Sequence, residues 1–507
     1  MSAAVKRAGF EARALEGLPL RRLVTDSRQV RRGDTFLAYP GETQDGRRYI
    51  AQAIAAGAAC VLWEARGFAW PAEWRVANRG IPELRKHAGE IAAVVHGRPT
   101  AALWVIGVTG TNGKTSCSQW LAQALTQGGR KCGVVGTLGS GWPGRLQPLA
   151  NTTPDGVWLQ ARMARFLRRG AKAVCMEVSS IGLDQDRLSG VEFDVALFTN
   201  LTRDHLDYHH TMARYRNAKA RLFGWPGLKH AVLNFEDAFG ATLARDMPAG
   251  PQILGYGFSP LPHPVPRRAR LARVLGRNLK LHRDGLAFEV ATPWGEAQIA
   301  SRMIGRFNAL NLLGVLSALA ASGVPLEQAA LTLSRTRPAP GRIERHGGGR
   351  RPLAVIDYAH TPDALEKVLK ALRETLRDTP QRRARPAGSG GRLFCVFGCG
   401  GDRDPGKRPL MGRVASRLAD RVIVTSDNPR SEDPERIIAD ILEGAGKNAK
   451  VEPDRERAIR AAVREAQPGD IVLVAGKGHE RYQSVRGVNL PFSDSAVVRQ
   501  ALKESWP

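Results

Sequence analysis

One short segment restricts the fold of this chain more than any other. An apolar run at 103–108 leads directly into a glycine-rich sequence at 107–116, GVTGTNGKTS. A buried strand that turns through glycines into a helix directs backbone N–H groups and a helix N-terminus at one point, which suits an anion. In such a loop Lys114 would meet the terminal phosphates of a nucleotide, and Thr115 would offer its hydroxyl to magnesium. The segment therefore predicts an α/β unit that binds a nucleoside triphosphate.

Chain length and cysteine usage bound the class of protein. The 507 residues, 43% of them hydrophobic, exceed what one core serves, so we expect two to four domains. No apolar run approaches a membrane span and the first residues lack an apolar export segment, so we expect a cytoplasmic protein with no membrane partner. The six cysteines show no Cys-x-x-Cys pairs, which predicts buried, reduced thiols.

The net charge of +27, from 75 Lys and Arg against 48 Asp and Glu, raises nucleic acid as a partner. The excess is arginine spread along the whole chain, with clusters at 267–270 and 381–385 and no interleaved aromatic residues. This distribution favours a solvated surface that attracts small anionic substrates. We therefore expect no nucleic-acid partner, and keep a P-loop NTPase acting on nucleic acid as an alternative.

Alternating apolar strands and helical patterns divide the chain into three α/β units. The first has strands at 34–39 and 59–63 around a helix at 49–56. The second has strands at 103–108, 133–136, 173–177 and 195–199 with helices between them, which is typical of a mostly parallel sheet. The third, beyond a Pro- and Gly-rich interruption at 335–341, is predicted to be a Rossmann-like, doubly wound domain.

The strands of the third unit are expected at 354–357, 393–397, 421–425 and 471–475, and a flexible surface loop is expected at 382–391. The predicted domains are 1–97, 98–337, which carries the phosphate loop, and 338–507.

Candidate catalytic residues lie at the ends of the central strands. Glu177 ends a buried strand next to the phosphate-loop strand, where a hard oxygen ligand for magnesium belongs. The loop after the following strand contains Asp204, His205, Asp207 and His209, and a helical stretch at 212–222 carries Lys219. We interpret this concentration of carboxylates and imidazoles beside a phosphate loop as a site.

Several motifs together resemble the Mur ligase family, which builds the peptide stem of the bacterial cell wall. They are TGTNGKT at 109–115, whose glycine spacing departs from the general P-loop pattern, NLTRDHLDYH at 200–209, and YRNAK at 215–219. The resemblance implies ATP and Mg²⁺ as cofactors, and carbon dioxide as a carbamate on Lys219. It implies that Thr115 and Glu177 hold one magnesium ion and that His205 and carbamylated Lys219 hold a second. The implied catalytic residues are Lys114, Lys219 and His205.

Further segments similar to the family occur in the expected order: GRFNA at 305–309, PGRIE at 340–344, DYAHTP at 357–362 and GCGGDR at 398–403. The resemblance implies that the third domain closes over ATP. The implied ATP-binding residues are Gly110, Thr111, Asn112, Gly113, Lys114, Thr115, Ser116, Asn308, Arg342, Asp357 and His360.

Segments at 26–28, 41–47, 151–154 and 177–180 resemble the part of the family that grips a uridine nucleotide carrying a muramoyl dipeptide. Ile181 stands where family members often have His, and the stretch 42–44 is not the commonest form. The implied substrate-binding residues are Ser27, Asn151, Thr152, Thr153, Ser179, Gln185 and Arg187.

The segment SDNPR at 426–430 discriminates between possible amino-acid substrates. Lysine and meso-diaminopimelate differ by one distal carboxylate, which the planar guanidinium of Arg430 would bind through two hydrogen bonds. Lysine would leave that arginine unpaired. The resemblance also implies that Glu480 takes the distal ammonium. The implied amino-acid-binding residues are Arg403, Asp427, Asn428, Arg430, Gly476 and Glu480.

Taken together, the motifs predict a monomeric, ATP-dependent ligase. It would add meso-diaminopimelate to the D-glutamate of UDP-N-acetylmuramoyl-L-alanyl-D-glutamate through an acyl phosphate. We keep a lysine-adding ligase of the same family and a folylpolyglutamate synthetase as competing hypotheses. The sequence does not single out the base that takes the amine proton, with His205 and His209 as candidates.

Overall fold

The computed structural model describes residues 12–42, 44–258, 271–282, 285–377 and 391–506. Both predicted arginine clusters, and the predicted surface loop at 382–391 except for its last residue, lie outside these ranges. Within the ranges, no helix combines the length and the apolar character needed to cross a membrane.

The first unit is a parallel four-stranded sheet in the order β1-β2-β3-β4. Its middle strands are apolar and buried, so a hydrophobic cluster forms on each face. The predicted strands and helix are present, with bounds shifted by one or two residues. The elements are β1 (Leu23–Val24), β2 (Thr35–Ala38), α1 (Ile50–Ala55), β3 (Cys60–Glu64), β4 (Ala77–Ile81) and α2 (Leu84–Val95).

The second unit is built on an eleven-stranded sheet. Its strands are β5 (Trp104–Thr109), β6 (Cys132–Gly136), β7 (Gly139–Trp142), β8 (Arg145–Gln147), β9 (Ala173–Glu177), β10 (Val195–Phe198), β11 (His230–Asn234), β12 (Gln252–Phe258), β13 (Leu271–His282), β14 (Gly285–Thr292) and β15 (Gly295–Ser301). Its helices are α3 (Lys114–Gln127), α4 (Gly156–Arg168), α5 (Ser180–Asp184), α6 (Leu206–His209), α7 (Met212–Ala220), α8 (Ala238–Asp246), α9 (Arg306–Ala321) and α10 (Leu326–Arg335).

The order of this sheet is β15-β14-β13-β12-β11-β10-β5-β9-β6-β7-β8. The seven strands from β13 to β6 are parallel, and antiparallel strands extend both edges. The mostly parallel sheet predicted from the sequence is therefore confirmed. Because β5 lies between β9 and β10, the phosphate loop, Glu177 and the loop after Phe198 meet at one edge.

The third unit is a six-stranded sheet in the order β16-β17-β21-β18-β19-β20, parallel except for β16. Buried clusters on both faces confirm a doubly wound domain. A separate hairpin, β22–β23, follows β21. The elements are β16 (Glu344–Gly347), β17 (Leu353–Asp357), α11 (Pro362–Arg377), β18 (Leu393–Phe397), α12 (Lys407–Leu418), β19 (Arg421–Val424), α13 (Pro434–Ala445), β20 (Lys450–Val451), α14 (Arg455–Glu465), β21 (Ile471–Ala475), β22 (Tyr482–Val485), β23 (Val488–Pro491) and α15 (Asp494–Ser505).

One predicted helix of the second unit ends earlier than expected. The helix predicted at 212–222 ends at Ala220 and continues as a tighter 3₁₀ turn, Arg221–Gly224. The helix α9 begins at Arg306, directly after Gly305. All six cysteines are free and buried, as expected.

Candidate active site

The phosphate loop joins β5 to α3. Gly113 precedes the helix with a φ of +86°, and a Cβ there would lie 2.7 Å from the Asn311 Oδ1. No side chain caps α3, so its first N–H groups are left for an anion. The Lys114 Nζ donates to the carbonyl oxygens of Gly110 at 2.9 Å and Thr111 at 2.8 Å, and burial lowers the pKa of this lysine. The loop thus presents an ammonium and backbone N–H groups at the start of α3.

The two predicted ligands of the first magnesium ion touch each other. Glu177 is 1% exposed, and its Oε2 accepts hydrogen bonds of 3.0 Å from the hydroxyls of Thr115 and Thr137. Its Oε1 accepts from the Thr137 backbone N–H at 2.8 Å. The sequence prediction did not include Thr137, which follows the neighbouring strand β6. The result is a buried group of hard oxygen atoms beside the start of α3.

Asp204 is the centre of a second cluster. The Nε2 atoms of His205 and His360 lie 3.5 Å and 3.8 Å from its Oδ2. Burial raises the pKa of Asp204, but the charges of His205, His360 and Lys407 outweigh it and hold that pKa well below its ordinary value. Burial also lowers the pKa of His205 to about 4. The loop after β10 therefore holds a buried carboxylate between the imidazoles of His205 and His360.

Lys219 is the most deeply buried cation near this cluster, at 1% exposed. Its Nζ donates to the Gly110 carbonyl oxygen at 2.8 Å and lies 4.4 Å from the centre of the Tyr215 ring. Burial, together with the charge of Lys114, lowers the pKa of Lys219 well below its ordinary value. The Tyr215 hydroxyl is 3.1 Å from the Thr111 Oγ1, so α7 packs directly on the phosphate loop.

The third unit contacts the phosphate loop directly. One guanidinium nitrogen of Arg342 donates to the Thr115 hydroxyl at 3.1 Å, and the Asn112 amide donates to the Asp363 Oδ2 at 3.0 Å. Among the described residues, the buried Nε of Arg342 has no hydrogen-bond partner, which suits a ligand that accepts from it. The Arg342 guanidinium also lies 4.5 Å from the centre of the Tyr358 ring.

The remaining predicted nucleotide residues have internal partners. The Asp357 Oδ2 accepts from the Ile343 backbone N–H at 2.8 Å, and burial raises the pKa of this carboxyl. The Asn308 amide donates to the Ile304 carbonyl, and the His360 Nδ1 contacts the Tyr358 carbonyl at 2.8 Å. Ser116 is buried in the first turn of α3. These contacts fix side chains around the loop.

A cavity of about 250 Å³ lies between the first and second units. Three predicted substrate residues line it, Asn151, Gln185 and Arg187, and burial lowers the pKa of Arg187. Sequence reasoning missed Tyr39, Arg85 and Asp155, which also line it, whereas Glu42 belongs to the predicted segment 41–47. The charged side chains of the lining are Arg85 and Arg187 and the carboxylates of Glu42, Asp155 and Asp186.

The other four predicted substrate residues do not line this cavity. The Ser27 hydroxyl donates to the Gln52 side chain within the first unit. Thr152 contacts the Thr137 hydroxyl at 3.0 Å, while the Thr153 hydroxyl donates to the Glu177 carbonyl. The Ser179 hydroxyl accepts from the Gly182 N–H and so caps α5. Thr153 and Ser179 thus support the local backbone.

The predicted amino-acid-binding residues lie around the carboxyl ends of β18, β19 and β21, and we refer to this region as the amino-acid pocket. Asp427 and Asn428 follow β19 and are buried, and one amide N–H of Asn428 donates to the Glu480 Oε2 at 2.7 Å. Arg430 donates to the Gly401 carbonyl at 2.5 Å. Gly476, at a φ of +115°, is required because a Cβ would lie 2.3 Å from the Asp427 Oδ2. Arg403 is exposed at the rim and donates to the Asp402 carbonyl.

Family models match most of the chain. The model for the Mur ligase middle domain matches residues 108–319, the Mur ligase glutamate ligase domain matches 341–478, and the Mur ligase family catalytic domain matches 20–96. A relative from Chromobacterium violaceum is 53% identical over 489 residues, covering 96% of this chain and 95% of the relative. The chain belongs to the Mur ligase family.

Other relatives of this Mur ligase agree. A protein from Nitrosomonas europaea is 50% identical, covering 96% of this chain and 93% of its own. A solved structure is 37% identical with a TM-score of 0.66, covering 96% of this chain and 95% of that chain. All three are named UDP-N-acetylmuramoyl-L-alanyl-D-glutamate–2,6-diaminopimelate ligase. This Mur ligase is therefore an enzyme of the ATP-dependent amide ligase class.

Ile181 lies on the short helix α5 of this Mur ligase and is half-buried. Its neighbour Ser180 contacts the buried His209, with 2.9 Å between the hydroxyl and the His209 Nε2. Burial lowers the pKa of His209. The structure therefore places an imidazole beside the serine pair from another segment of the chain.

The hairpin β22–β23 forms a wall of the amino-acid pocket that sequence reasoning missed. The Ser484 N–H donates to the Asn428 Oδ1 at 2.9 Å, and the Gln483 amide donates to the Asp427 carbonyl at 2.7 Å. The Arg430 N–H donates to the Ser484 carbonyl at 3.0 Å. The backbone at 427–430 is thereby fixed by a segment more than fifty residues away.

A fully buried ion pair lies behind this pocket. Arg455 contacts both oxygens of Asp494 at 2.8 Å, and both side chains are inaccessible to solvent. Arg455 also donates to the Ala475 carbonyl at 3.0 Å, at the end of β21. Only the tertiary structure reveals this role, because the sequence around Arg455 is that of an ordinary surface helix.

Proposed function

We propose that this Mur ligase joins meso-diaminopimelate to the side-chain carboxylate of D-glutamate in UDP-N-acetylmuramoyl-L-alanyl-D-glutamate, converting ATP to ADP and phosphate. The observation that carries the proposal is the pocket at the ends of β18, β19 and β21. There Arg430, Asp427 and Glu480 offer both charges to an amino acid with two ionic groups at its far end. Relatives of about 50% identity carry this activity in their names.

The three predicted domains divide the work in this proposal. Residues 1–97 help hold the uridine nucleotide, 98–337 bind ATP, and 338–507 bind the amino acid. Ser27, Asn151, Gln185 and Arg187 are proposed to contact the nucleotide-linked substrate, with Thr152, Thr153 and Ser179 shaping its site. We also propose a cytoplasmic monomer, because one chain supplies all three binding regions.

The residues near the phosphate loop fit magnesium, which prefers hard oxygen ligands. Within the ranges that the structure covers, no three His, Cys, Asp or Glu side chains form a metal-binding group. The proposed ligands are accordingly mixed: Thr115 and Glu177, which touch each other, and His205 with a modified Lys219. Bound there, magnesium supplies positive charge that stabilises the transferring phosphoryl group.

Lys219 is proposed to carry carbon dioxide as a carbamate. Its amine lies in a buried site beside Lys114, where a second ammonium is unfavourable. The ammonium first loses one proton, and the neutral Nζ then bonds to carbon dioxide and loses a second proton, which replaces the cation with a carbamate anion. The resulting oxygen atoms would be suitable ligands for a metal ion, whereas the unmodified ammonium would repel it.

In the first chemical step, a side-chain carboxylate oxygen of D-glutamate attacks the γ-phosphorus of ATP. The bond from that phosphorus to the bridging oxygen breaks, and ADP leaves. Lys114 and the N–H groups at the start of α3 balance the charge that develops on the phosphoryl oxygens. Arg342 and Asn112, which already link the second and third units, position the nucleotide.

In the second step, a neutral amine of the amino acid attacks the acyl carbon. The tetrahedral intermediate collapses as the carbon–oxygen bond to phosphate breaks, which releases inorganic phosphate and leaves an amide. The attacking nitrogen loses one proton in this step, and because His205 is assigned to the metal it is not also assigned as the base. Contact between the second and third units excludes water and protects the acyl phosphate from hydrolysis.

The proposal is tested by phosphate release with ATP, magnesium, the uridine-linked dipeptide and either meso-diaminopimelate or L-lysine. We expect phosphate release that requires both the dipeptide and the amino acid, with a clear preference for diaminopimelate. Equal rates with lysine would contradict the role of Arg430. Phosphate release that depends on polynucleotide and not on an amino acid would contradict the ligase assignment.

A further inference from the structure

Lys477 is a fully buried lysine inside the amino-acid pocket. Its side chain is 0% exposed, although the adjacent Glu480 side chain retains 15% exposure. The Lys477 Nζ donates to the Asn428 Oδ1 at 2.8 Å and lies 3.3 Å from the Glu480 Oε2. A buried ammonium is costly unless charge or hydrogen bonds compensate it, so this placement requires a reason.

The contacts of Lys477 determine how Asn428 is oriented. The Asn428 Oδ1 accepts from both Lys477 and the Ser484 N–H, while its amide nitrogen donates to the Glu480 Oε2 at 2.7 Å. Lys477, Asn428 and Glu480 thus form a closed triangle of hydrogen bonds. With Lys477 in place, the Asn428 carbonyl oxygen cannot rotate toward the ligand, and Glu480 is held by two donors on one oxygen.

Lys477 also changes the charge of the pocket. The Tyr482 ring lies 5.7 Å from the Lys477 Nζ, and this phenol is influenced by Glu480, Asp427, Arg430 and Arg403 together. These charges therefore share one region, and Asp402 also interacts with Arg430 and Arg403. Lys477 adds one positive charge to this group, and removing it would make the region more negative by one charge.

The ligand proposed above has the complementary charge. When its reacting amine is neutral, diaminopimelate carries two carboxylates and one ammonium, whereas lysine carries one of each. An additional positive charge in the pocket therefore favours the first ligand over the second. In a site with little solvent, this difference of one charge between the two ligands is large enough to influence which amino acid the enzyme binds.

We propose that Lys477 is a specificity-determining residue of this ligase. Its buried ammonium holds Asn428 and Glu480 in place and supplies a positive charge that favours an amino acid with a second carboxylate. The inference rests on the proposed function, because it assumes diaminopimelate as the ligand. It assigns selection to a buried residue of the pocket in addition to Arg430.

The test compares Lys477→Met with the wild type in steady-state kinetics, using meso-diaminopimelate and L-lysine as the two amino acids. We expect the KM for diaminopimelate to rise at least tenfold and the ratio of kcat/KM values, diaminopimelate over lysine, to fall at least tenfold. The KM values for ATP and for the uridine-linked dipeptide should stay within twofold. An equal loss with both amino acids would leave the ratio unchanged and would overturn the proposal.

The double variant Lys477→Met with Glu480→Gln separates charge from packing. It removes one cation and one carboxylate, so the net charge of the pocket is that of the wild type, and we expect a ratio within threefold of the wild type despite slower turnover. A ratio as low as that of Lys477→Met alone would overturn the charge argument. Because the double variant leaves neither Lys477 nor Glu480 as an unpaired buried charge, it still tests the charge argument if Lys477→Met alone fails to fold.

Lys450→Met is the matched control. Lys450 pairs with Glu465 in the same unit, but its side chain is 66% exposed and lies away from the pocket. For Lys450→Met, the ratio of kcat/KM values, diaminopimelate over lysine, should equal that of the wild type. A fall in this ratio like that of Lys477→Met would overturn the proposal. A wild-type enzyme with no diaminopimelate-dependent phosphate release would instead contradict the proposed function, so the two failures are distinguishable.

Discussion

Lys219 shows how far a single residue depends on its surroundings. In the sequence it is one of 75 basic residues, and only family resemblance singled it out. In the structure its amine is buried between the Gly110 carbonyl and the Tyr215 ring. Neither of these two neighbours carries a negative charge that would compensate an ammonium, which is why modification to an anion is an attractive account.

We predict that Lys219→Ala lowers kcat by at least about 100-fold, because the proposed carbamate ligand is lost. Short-chain carboxylic acids such as acetate should restore part of the activity by occupying the vacated space with an oxygen anion. The measurement is phosphate release with and without added acetate. Arg216→Ala, an exposed residue on the same helix α7, should keep wild-type activity. Full activity in Lys219→Ala would contradict the carbamate.

Arg430 is predicted to carry most of the discrimination that depends on direct contact. Arg430→Ala should lower kcat/KM for meso-diaminopimelate by about 100-fold, because a charge-assisted pair with the distal carboxylate is lost. Activity with L-lysine should change less than threefold. Steady-state kinetics with both amino acids measure this, with the exposed Arg436→Ala on α13 as control. A parallel loss for lysine would assign Arg430 a structural role.

At the scale of elements, apolar strands were the part of the fold that sequence patterns predicted best. The bounds of β9, β18 and β21 match the predicted ranges because each strand is a short, wholly buried apolar run between polar residues. The strand order that brings Thr115 against Glu177 also follows from placing both at carboxyl ends of neighbouring parallel strands.

Contacts between distant elements were not predictable in the same way. Some residues support the site only through contacts with segments that are distant in sequence. They are Thr137, Tyr215, Arg455 and the hairpin β22–β23. No local sequence pattern predicts these contacts. Lys477 directly follows the predicted residue Gly476 but had no assigned role, since a lysine between glycines is usually solvated. Ser179 is the opposite case: the sequence predicted a contact with the substrate, whereas in the structure its hydroxyl caps α5.

The link between β16 and α15 gives a prediction about stability and pH. The Glu344 carboxylate contacts His346 at 2.9 Å, Ser495 at 2.8 Å and the Gly341 N–H at 2.9 Å. The hydrogen bond with His346, followed by the other contacts, lowers the pKa of Glu344 to about 2 from 4.5. A carboxyl with a depressed pKa in the folded state stabilises the fold above pH 4.5, and loses that contribution as the pH falls toward 2.

Glu344→Gln should therefore lower the free energy of unfolding at pH 7 by about 1–2 kcal/mol, allowing for partial exposure. At pH 3 the difference from the wild type should be markedly smaller. Denaturant unfolding at the two pH values measures both differences. Glu456→Gln removes an exposed helix pair with Arg460 and should cost no more than about 0.5 kcal/mol at pH 7. A Glu344→Gln effect that is independent of pH would contradict the assignment.

At the scale of the whole molecule, the second and third units meet through few polar contacts placed close to the chemistry. Arg203, next to Asp204 in the loop after β10, contacts both oxygens of Asp404 at 2.9 Å and 3.1 Å. Asp404 follows Arg403 at the rim of the amino-acid pocket. The pair thus joins the loop near ATP to the loop that receives the amino acid, and stabilises the arrangement in which both sites face each other.

A double-mutant cycle tests this link. We predict that Arg203→Ala and Asp404→Asn each lower kcat/KM several-fold, and that the double variant is no worse than the more damaging single variant. The coupling should be about 0.5–1 kcal/mol at low salt and smaller at high salt, because Arg203 is half exposed. Additive losses would show that the two residues act independently.

The central claim is that ATP activates the side-chain carboxylate of D-glutamate before the amino acid attacks it. The most direct test uses the uridine-linked dipeptide with both oxygens of that carboxylate labelled with ¹⁸O, together with ATP, magnesium and meso-diaminopimelate. Mass spectrometry then measures the label in the phosphate and in the product. We predict one ¹⁸O in each released phosphate and one ¹⁸O retained in the new amide. Unlabelled phosphate would contradict an acyl phosphate intermediate and the account built on it.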